Sequence, residues 1–314
     1  MDIRIVDPRT APEPLLRELC AAQREAKAEY APGEPPMPYE QAAGYFRHPS
    51  GGERTLWLAR DGERVVGYAQ LAVYGPEFAF LDVAVPPADR RRGIGSALLA
   101  ELVGGMREQG LASGFGHHVS EAGAGFAARH GARDDQRDVR STLVLAEARL
   151  EAPPVPDGIE LRSWIGLTPE ELLESHVRAR EAMDDAPAPE GVGVHVWSAD
   201  HQRRSEEAAI ARNRPPRVTV ALQDGEIVAF TDLRVSPPPA EVAGTDDTAT
   251  IPSARRRGLS TIVKVESLRL LRDDRPDVRI VTTLNAEHNV GMRAVNTRIG
   301  FVPTSILTTS VLEV

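Results

Sequence analysis

One cysteine in 314 residues, Cys20, leaves nothing to build an intramolecular disulfide framework. It also argues against a thiolate metal site, and no metal is expected. Cys20 falls in a helix expected over residues 15–30 and reads as a small packed residue rather than a nucleophile. No apolar run approaches the ~18 residues needed to span a bilayer. The start, Met1-Asp2-Ile3-Arg4-Ile5-Val6, lacks the apolar core of a signal peptide and reads as a first strand. A soluble cytoplasmic protein with no membrane partner is therefore expected. An excess of basic residues is missing too. The net charge of −9 disfavours nonspecific nucleic-acid binding and leans towards amine-bearing partners.

What is present points to duplication. At 314 residues, 41% hydrophobic and 26% charged, the chain suits two globular domains of ordinary size. Arg-Arg-Arg-Gly occurs as Arg90-Arg91-Arg92-Gly93-Ile94-Gly95 and again as Arg255-Arg256-Arg257-Gly258-Leu259-Ser260. Each copy follows a β-like run and precedes an amphipathic helix. Two hairpin signals, Asp61-Gly62 and Asp224-Gly225, repeat at a nearly equal offset. Matching offsets at separate landmarks indicate a duplicated domain rather than a coincidental tripeptide.

The aperiodic, Pro/Gly-rich stretch 151–158 reads as the linker, with domains over 1–150 and 159–314. In each half the expected order is strand, helix, helix, three strands, Arg/Gly loop, helix, strand, helix, strand. That is an α/β layout with a mixed sheet covered by helices. Thr168-Pro169-Glu170-Glu171 reads as a helix start with Thr168 as N-cap. Residues 184–194, rich in acids and prolines, read as a solvated loop or as a flexible wall of a substrate site.

The physics of the first loop is that of an anion site. A strand ends at Pro86, and a helix begins near Gly93 with Leu98, Leu99, Leu102 and Val103 on one face. Glycine at a helix start lets a ligand approach the backbone, where unpaired N–H groups and the helix dipole suit a phosphate. The arginines are either the rim of that site or a solvated turn. A dinucleotide Gly-x-Gly-x-x-Gly and the Gly-Lys-Ser/Thr of a P-loop are both absent here.

The arrangement resembles the Gcn5-related N-acetyltransferase (GNAT) family, whose acetyl-CoA signature is Arg/Gln-x-x-Gly-x-Gly/Ala. Arg90-x-x-Gly93-x-Gly95 matches fully; Arg255-x-x-Gly258-x-Ser260 departs at its last position. Residues 282–301 look like the strand, Asn-bearing helix and Gly-Phe that close the family's fold. The resemblance covers both halves and implies two tandem GNAT-like domains. It further implies acetyl-CoA as co-substrate, held by Val83, Val85, Arg90, Arg91, Arg92, Gly93 and Gly95 in the first half. In the second half it implies Thr250, Arg255, Arg256, Arg257, Gly258, Ser260, Asn285 and Asn289.

The family's chemistry implies an amine attacking the thioester, backbone N–H groups on a splayed strand (81–85 and 248–252), a carboxylate base and often a tyrosine acid. Asp247, Asp246 and Asp82 are the candidate bases, each of which has an alternative reading as a strand-end carboxylate. His117 and His118 are candidate shuttles. The tyrosine position holds Ala127 in the first half and Asn296 in the second. The second half, with its closing motif, is expected to be the catalytic one. The implied activity is N-acetylation of a primary amine, expected on a small molecule, by a monomer or homodimer. A noncatalytic acyl-CoA-binding module is the alternative.

Overall fold

The computed structural model describes residues 1–48, 53–75, 78–183 and 197–314; the 184–194 stretch lies outside them. The chain forms two compact units. Unit 1 contains β1 (Asp2–Ile5), α1 (Glu13–Lys27), α2 (Tyr39–Arg47), β2 (Glu53–Asp61), β3 (Arg64–Gly75), β4 (Phe78–Ala84), α3 (Ile94–Glu108), β5 (Ser113–His118) and α4 (Glu121–Arg129). β6 (Arg133–Val144) leads out of it. Unit 2 contains β7 (Ile159–Ile165), α5 (Leu173–Arg180), α6 (Ala199–Ala211), β8 (Pro216–Gln223), β9 (Glu226–Val235), β10 (Val242–Thr250), α7 (Leu259–Asp274), β11 (Ile280–Ala286) and α8 (Val290–Ile299). β12 (Val302–Glu313) closes the chain. The mixed-sheet α/β order expected from the sequence is the one observed.

Strand alternation builds two apolar layers in each unit. Along β2, Trp57 and Ala59 face the α3 side with Leu98, Leu102 and Met106. Leu56 and Leu58 face α1 and α2, beside Leu16, Leu19 and Phe46. Leu98, Leu102 and Met106 recur at four-residue steps and are wholly buried, each contributing roughly 1.5–3 kcal/mol of transfer free energy. Unit 2 repeats the plan. Val218, Val220 and Phe230 pack below α5, whereas Ala221 and Ala229 pack against Ile262 and Val263 of α7.

The linker expected at 151–158 divides the sequence, but the packing divides elsewhere. Ser305–Val314 belongs to unit 1, and the described residues from Val139 to Thr304 belong to unit 2. The reason is strand pairing. Thr308–Glu313 of β12 pairs antiparallel with His118–Ser113 of β5, and Leu312 enters the α3 core. Leu143, Leu145 and Leu150 enter the unit 2 core beside Val265, Leu268 and Phe301.

Three local expectations shift. Cys20 is buried in a helix that starts at Glu13 and ends at Lys27, and burial pushes its thiol up to about 11. Thr168 is not a helix cap. It is buried between His176 Nδ1 (2.9 Å) and Glu206 Oε1 (2.5 Å), and a 3-10 turn over Glu170–Leu172 precedes α5. The second hairpin turn has both Asp224 and Gly225 in the left-handed region, whereas in the first only Gly62 is left-handed.

Candidate active site

In each unit the fourth strand parts from the fifth. The parallel β4–β5 pairing is confined to Phe80↔Phe115, so 81–84 run on with one free edge. The β10–β11 pairing runs from Val242↔Ile280 to Gly244↔Thr282, and β10 then continues unpaired on that side to Thr250. Between Thr245 and Thr248 β10 also carries a bulge holding Asp246 and Asp247.

The two Arg/Gly loops are nearly superposable in backbone. A 3-10 turn (Pro87–Asp89; Pro252–Ala254) is followed by an extended arginine, Arg90 or Arg255. That arginine donates its Nε to the strand-end carbonyl, Val85 O at 3.1 Å or Thr250 O at 3.2 Å. The next, Arg91 (φ 66°) or Arg256 (φ 63°), is left-handed. Gly93 (φ 79°) and Gly258 (φ 77°) then start α3 and α7 without any side-chain cap. The first N–H groups of both helices therefore await an acceptor.

The three arginines of the first loop do different things. Arg90 Nη1 binds Glu29 at 2.6 Å. Arg92 binds Asp61 and Asp89, each at 2.9 Å. Asp89, 2% exposed, is also held by both Nη atoms of Arg64 at 2.7 Å. These hydrogen bonds from Arg64 and Arg92 keep its carboxyl below the usual range. Arg91 is exposed and makes no ion pair among the described residues. Only Arg91 is left to meet an anion without breaking a contact.

A cleft of ≈ 560 Å³ in unit 1 runs from this loop along the free edge of β4 to the end of α1. Val83, Val85, Gly93 and Gly95 line it, and so does Asp82. Asp82 is 8% exposed; its Oδ2 accepts from Lys27 Nζ at 2.7 Å and Tyr68 OH at 3.1 Å. Burial opposes the charge on Lys27, but Asp82 and the neighbouring phenols outweigh it and hold the ammonium well above its ordinary pKa. His117 also lines the cleft, where burial and the Lys27 charge bring its imidazole down to about 4. It is neutral at physiological pH. Tyr30 donates its hydroxyl to the His117 carbonyl at 2.8 Å, and burial raises its phenol to about 12. His118 instead meets Asp134 at 3.2 Å.

Unit 2 places its candidates in denser company. Asp247 pairs with Arg180 Nη1 at 2.5 Å, and its N–H donates to Asp232 Oδ1 at 2.8 Å. Burial pushes the Asp247 carboxyl up, against the pull of Arg180. Asp246 pairs with Arg234 Nε at 3.0 Å. Arg180 ends α5 as Lys27 ends α1, so each unit clamps its strand carboxylate with a cation from the same place in the fold. In the second loop Arg257 binds Gln223 at 2.7 Å, and Ser260 Oγ meets Thr250 Oγ1 at 2.8 Å. A side-chain carbon on Gly258 would touch Pro153 at 3.5 Å, whereas one on Gly93 would meet nothing within 4 Å. Asn289 Oδ1 caps α8 through Met292 N at 3.1 Å. Asn285 Oδ1 accepts from Asn296 Nδ2 at 2.6 Å.

Lys27 and Tyr30, which line the cleft, and Tyr68, buried behind Asp82, are residues that the sequence reading did not single out. Lys27 carries no local motif, and its partner Asp82 is 55 residues away. No cluster of His, Cys, Asp or Glu able to hold a metal occurs among the described residues, and no described helix is long and apolar enough to cross a membrane.

The chain matches the model of the acetyltransferase (GNAT) family twice, over residues 18–131 and 179–301. It is 34% identical over 145 residues to a mycothiol acetyltransferase of Actinosynnema mirum, covering 44% of this chain and 47% of that protein. The chain thus matches about half the length of that relative. A mycothiol acetyltransferase of Rhodococcus jostii is 28% identical over 256 residues, 79% of each chain. Among solved structures, a tandem GNAT protein from the clavulanic acid biosynthesis pathway superposes with a TM-score of 0.86 at 26% identity, covering 99% of this chain and 98% of that one. A GCN5-related N-acetyltransferase from Sphaerobacter thermophilus shares the fold, with a TM-score of 0.69 at 18% identity over 99% of this chain and 95% of the other. This chain belongs to the acetyltransferase (GNAT) family.

Proposed function

We propose that this protein transfers the acetyl group of acetyl-CoA to a primary amine of a small molecule, and that it does so in the cleft of unit 1. The observation that carries the reading is continuity. The uncapped start of α3, the free edge of β4 and a carboxylate all open onto one space of ≈ 560 Å³. The open face of Gly93 fits a diphosphate, since nothing would obstruct close approach there. That similar proteins bear the name mycothiol acetyltransferase supports a small-molecule acceptor. The second half looked the better catalyst from its closing motif. The hydroxyl bridge over the second loop and the approach of Pro153 to Gly258 favour unit 1 instead.

Acetyl-CoA supplies the activated acyl carbon. The N–H groups that begin α3, with Arg91, bind the diphosphate. The free edge of β4, from Leu81 to Val85, aligns the pantetheine arm by backbone hydrogen bonds and excludes water from one side. Asp82 docks the acceptor ammonium and takes its proton. Lys27 shares that carboxylate, and the rate rises with pH as the free amine fraction grows. Ala127 stands where a proton donor would act, and a thiol is a fair leaving group without one.

Acetyl-dependent release of free thiol, scored across amino sugars, amino acids and polyamines, tests the reading. At least one amine should give turnover, and Asp82→Asn should lower kcat by about 10²-fold. The engagement of Asp82 by Lys27 also favours a second reading, a module that binds acyl-CoA without turnover. Saturable acetyl-CoA binding with no thiol release on any amine would establish that one.

A further inference from the structure

The two units differ most at positions that should line equivalent clefts. Counting from the superposable loops, Leu99 of α3 corresponds to Lys264 of α7, and Val85 and Gly95 to Thr250 and Ser260. Counting back from the left-handed glycines that end α4 and α8, Gly131 and Gly300, Ala127 corresponds to Asn296. The unit 1 member of every pair lines its cleft. Each is apolar or glycine, as an acyl-pantetheine arm requires; each counterpart in unit 2 is polar or charged.

Two of those counterparts are unsatisfied. Lys264 is 3% exposed, and its ammonium makes no hydrogen bond or ion pair among the described residues. The ammonium lies over the face of Phe301, 5.5 Å from the ring centre. Asn296 is 2% exposed and gives its Nδ2 to Asn285, while its Oδ1 is buried with no partner. A buried cation without a counter-ion and a buried acceptor without a donor each cost free energy that folding alone does not return. Burial pushes Lys264 down to about 8, with only Asp232 pulling back. Asp232 is already engaged by Arg180 and the Asp247 N–H.

We infer that unit 2, where β10 parts from β11 beyond Gly244, binds a small monocarboxylate bearing an amide N–H or hydroxyl, rather than a second acyl-CoA. The carboxylate supplies the counter-ion for Lys264, and the ligand's N–H or O–H donates to Asn296 Oδ1. One uncompensated ammonium matches one negative charge, so a phosphate dianion would be left under-neutralised in a desolvated site. Asn285, which accepts from Asn296, is half-buried and so brings this polar row to the surface. This assignment is independent of what unit 1 binds.

Calorimetric titration of the full chain with N-acetylglycine, acetate and inorganic phosphate tests the assignment, alongside acetyl-CoA as a report on unit 1. N-Acetylglycine should bind saturably at one site, several-fold tighter than acetate, and phosphate should not compete. Lys264→Met should weaken N-acetylglycine at least tenfold while leaving acetyl-CoA binding unchanged. On the unaltered protein, the lysine NMR signal titrating near pH 8 should move to higher pH once N-acetylglycine is added, which reads the same contact without a variant. Four results would overturn the inference: no saturable carboxylate binding, binding that survives Lys264→Met, a lysine titration unmoved by ligand, or a second equivalent of acetyl-CoA lost on Arg256→Glu. Phosphate binding that depends on Lys264 would overturn the commitment to a monocarboxylate.

Discussion

Arg91 sits in the left-handed region with its side chain exposed, flanked by two arginines that are already engaged. The triplet is thus one ligand-facing residue between two residues that shape the turn. Arg91→Ala should raise KM for acetyl-CoA about tenfold through loss of one charge-assisted contact, with no change in melting temperature. Arg92→Ala should do the reverse, costing about 1–2 kcal/mol of stability because it strips a hydrogen bond from buried Asp89. Steady-state kinetics and thermal melts on the pair separate the roles; equal effects of the two variants on KM would contradict the division. A second residue-scale prediction concerns pH. Burial brings His176 down to about 3 from its ordinary 6.5. Folded protein then carries no proton there while unfolded chain does, so this part of the stability is complete above pH 6.5. It declines as pH falls from about 6.5 towards about 3. Between pH 7 and pH 5 the protein should lose about 2 kcal/mol more than His176→Leu in urea melts. Parallel pH curves for the two would refute it.

At the scale of elements, the loops were legible in the sequence and the cleft walls were not. Every determinant of the loop, from Pro86 to Gly95, lies within a few residues, so spacing alone reveals an uncapped helix start. The unequal duties of Arg90, Arg91 and Arg92 depend on Glu29, Asp61 and Arg64, which only the folded sheet brings near. Asp82 was recognisable as a carboxylate on the splayed strand, but its Lys27 clamp joins α1 to β4, where no periodicity links the two. The narrow end of the splay makes its own demand. A side-chain carbon on Gly116 of β5 would lie 2.7 Å from the Leu81 carbonyl oxygen. Because that neighbour is backbone, β4 itself must yield. Gly116→Ala should cost about 1–3 kcal/mol and weaken acetyl-CoA binding, whereas Gly125→Ala, which meets nothing within 4 Å, should be tolerated. Urea melts and titrations of both variants would show it, and equal behaviour would argue that the splay is not held at Gly116.

For the whole molecule, the repeat was readable as sequence, yet the units do not respect its order. Ser305–Val314 completes unit 1, and its pairing with β5 adds six residues of ladder and buries Leu312. A linker is visible in composition, but long-range strand pairing leaves no composition signal. Deleting residues 305–314 should therefore abolish acetyl-CoA binding by unit 1, although the Arg/Gly loop lies more than two hundred residues earlier in the chain. The central claim is that acetyl-CoA occupies unit 1. Calorimetric titration of acetyl-CoA into the full chain, Arg91→Glu and Arg256→Glu tests it most directly. The account predicts one equivalent bound, lost in Arg91→Glu and retained in Arg256→Glu. No binding to the unaltered protein, or loss confined to Arg256→Glu, would contradict it.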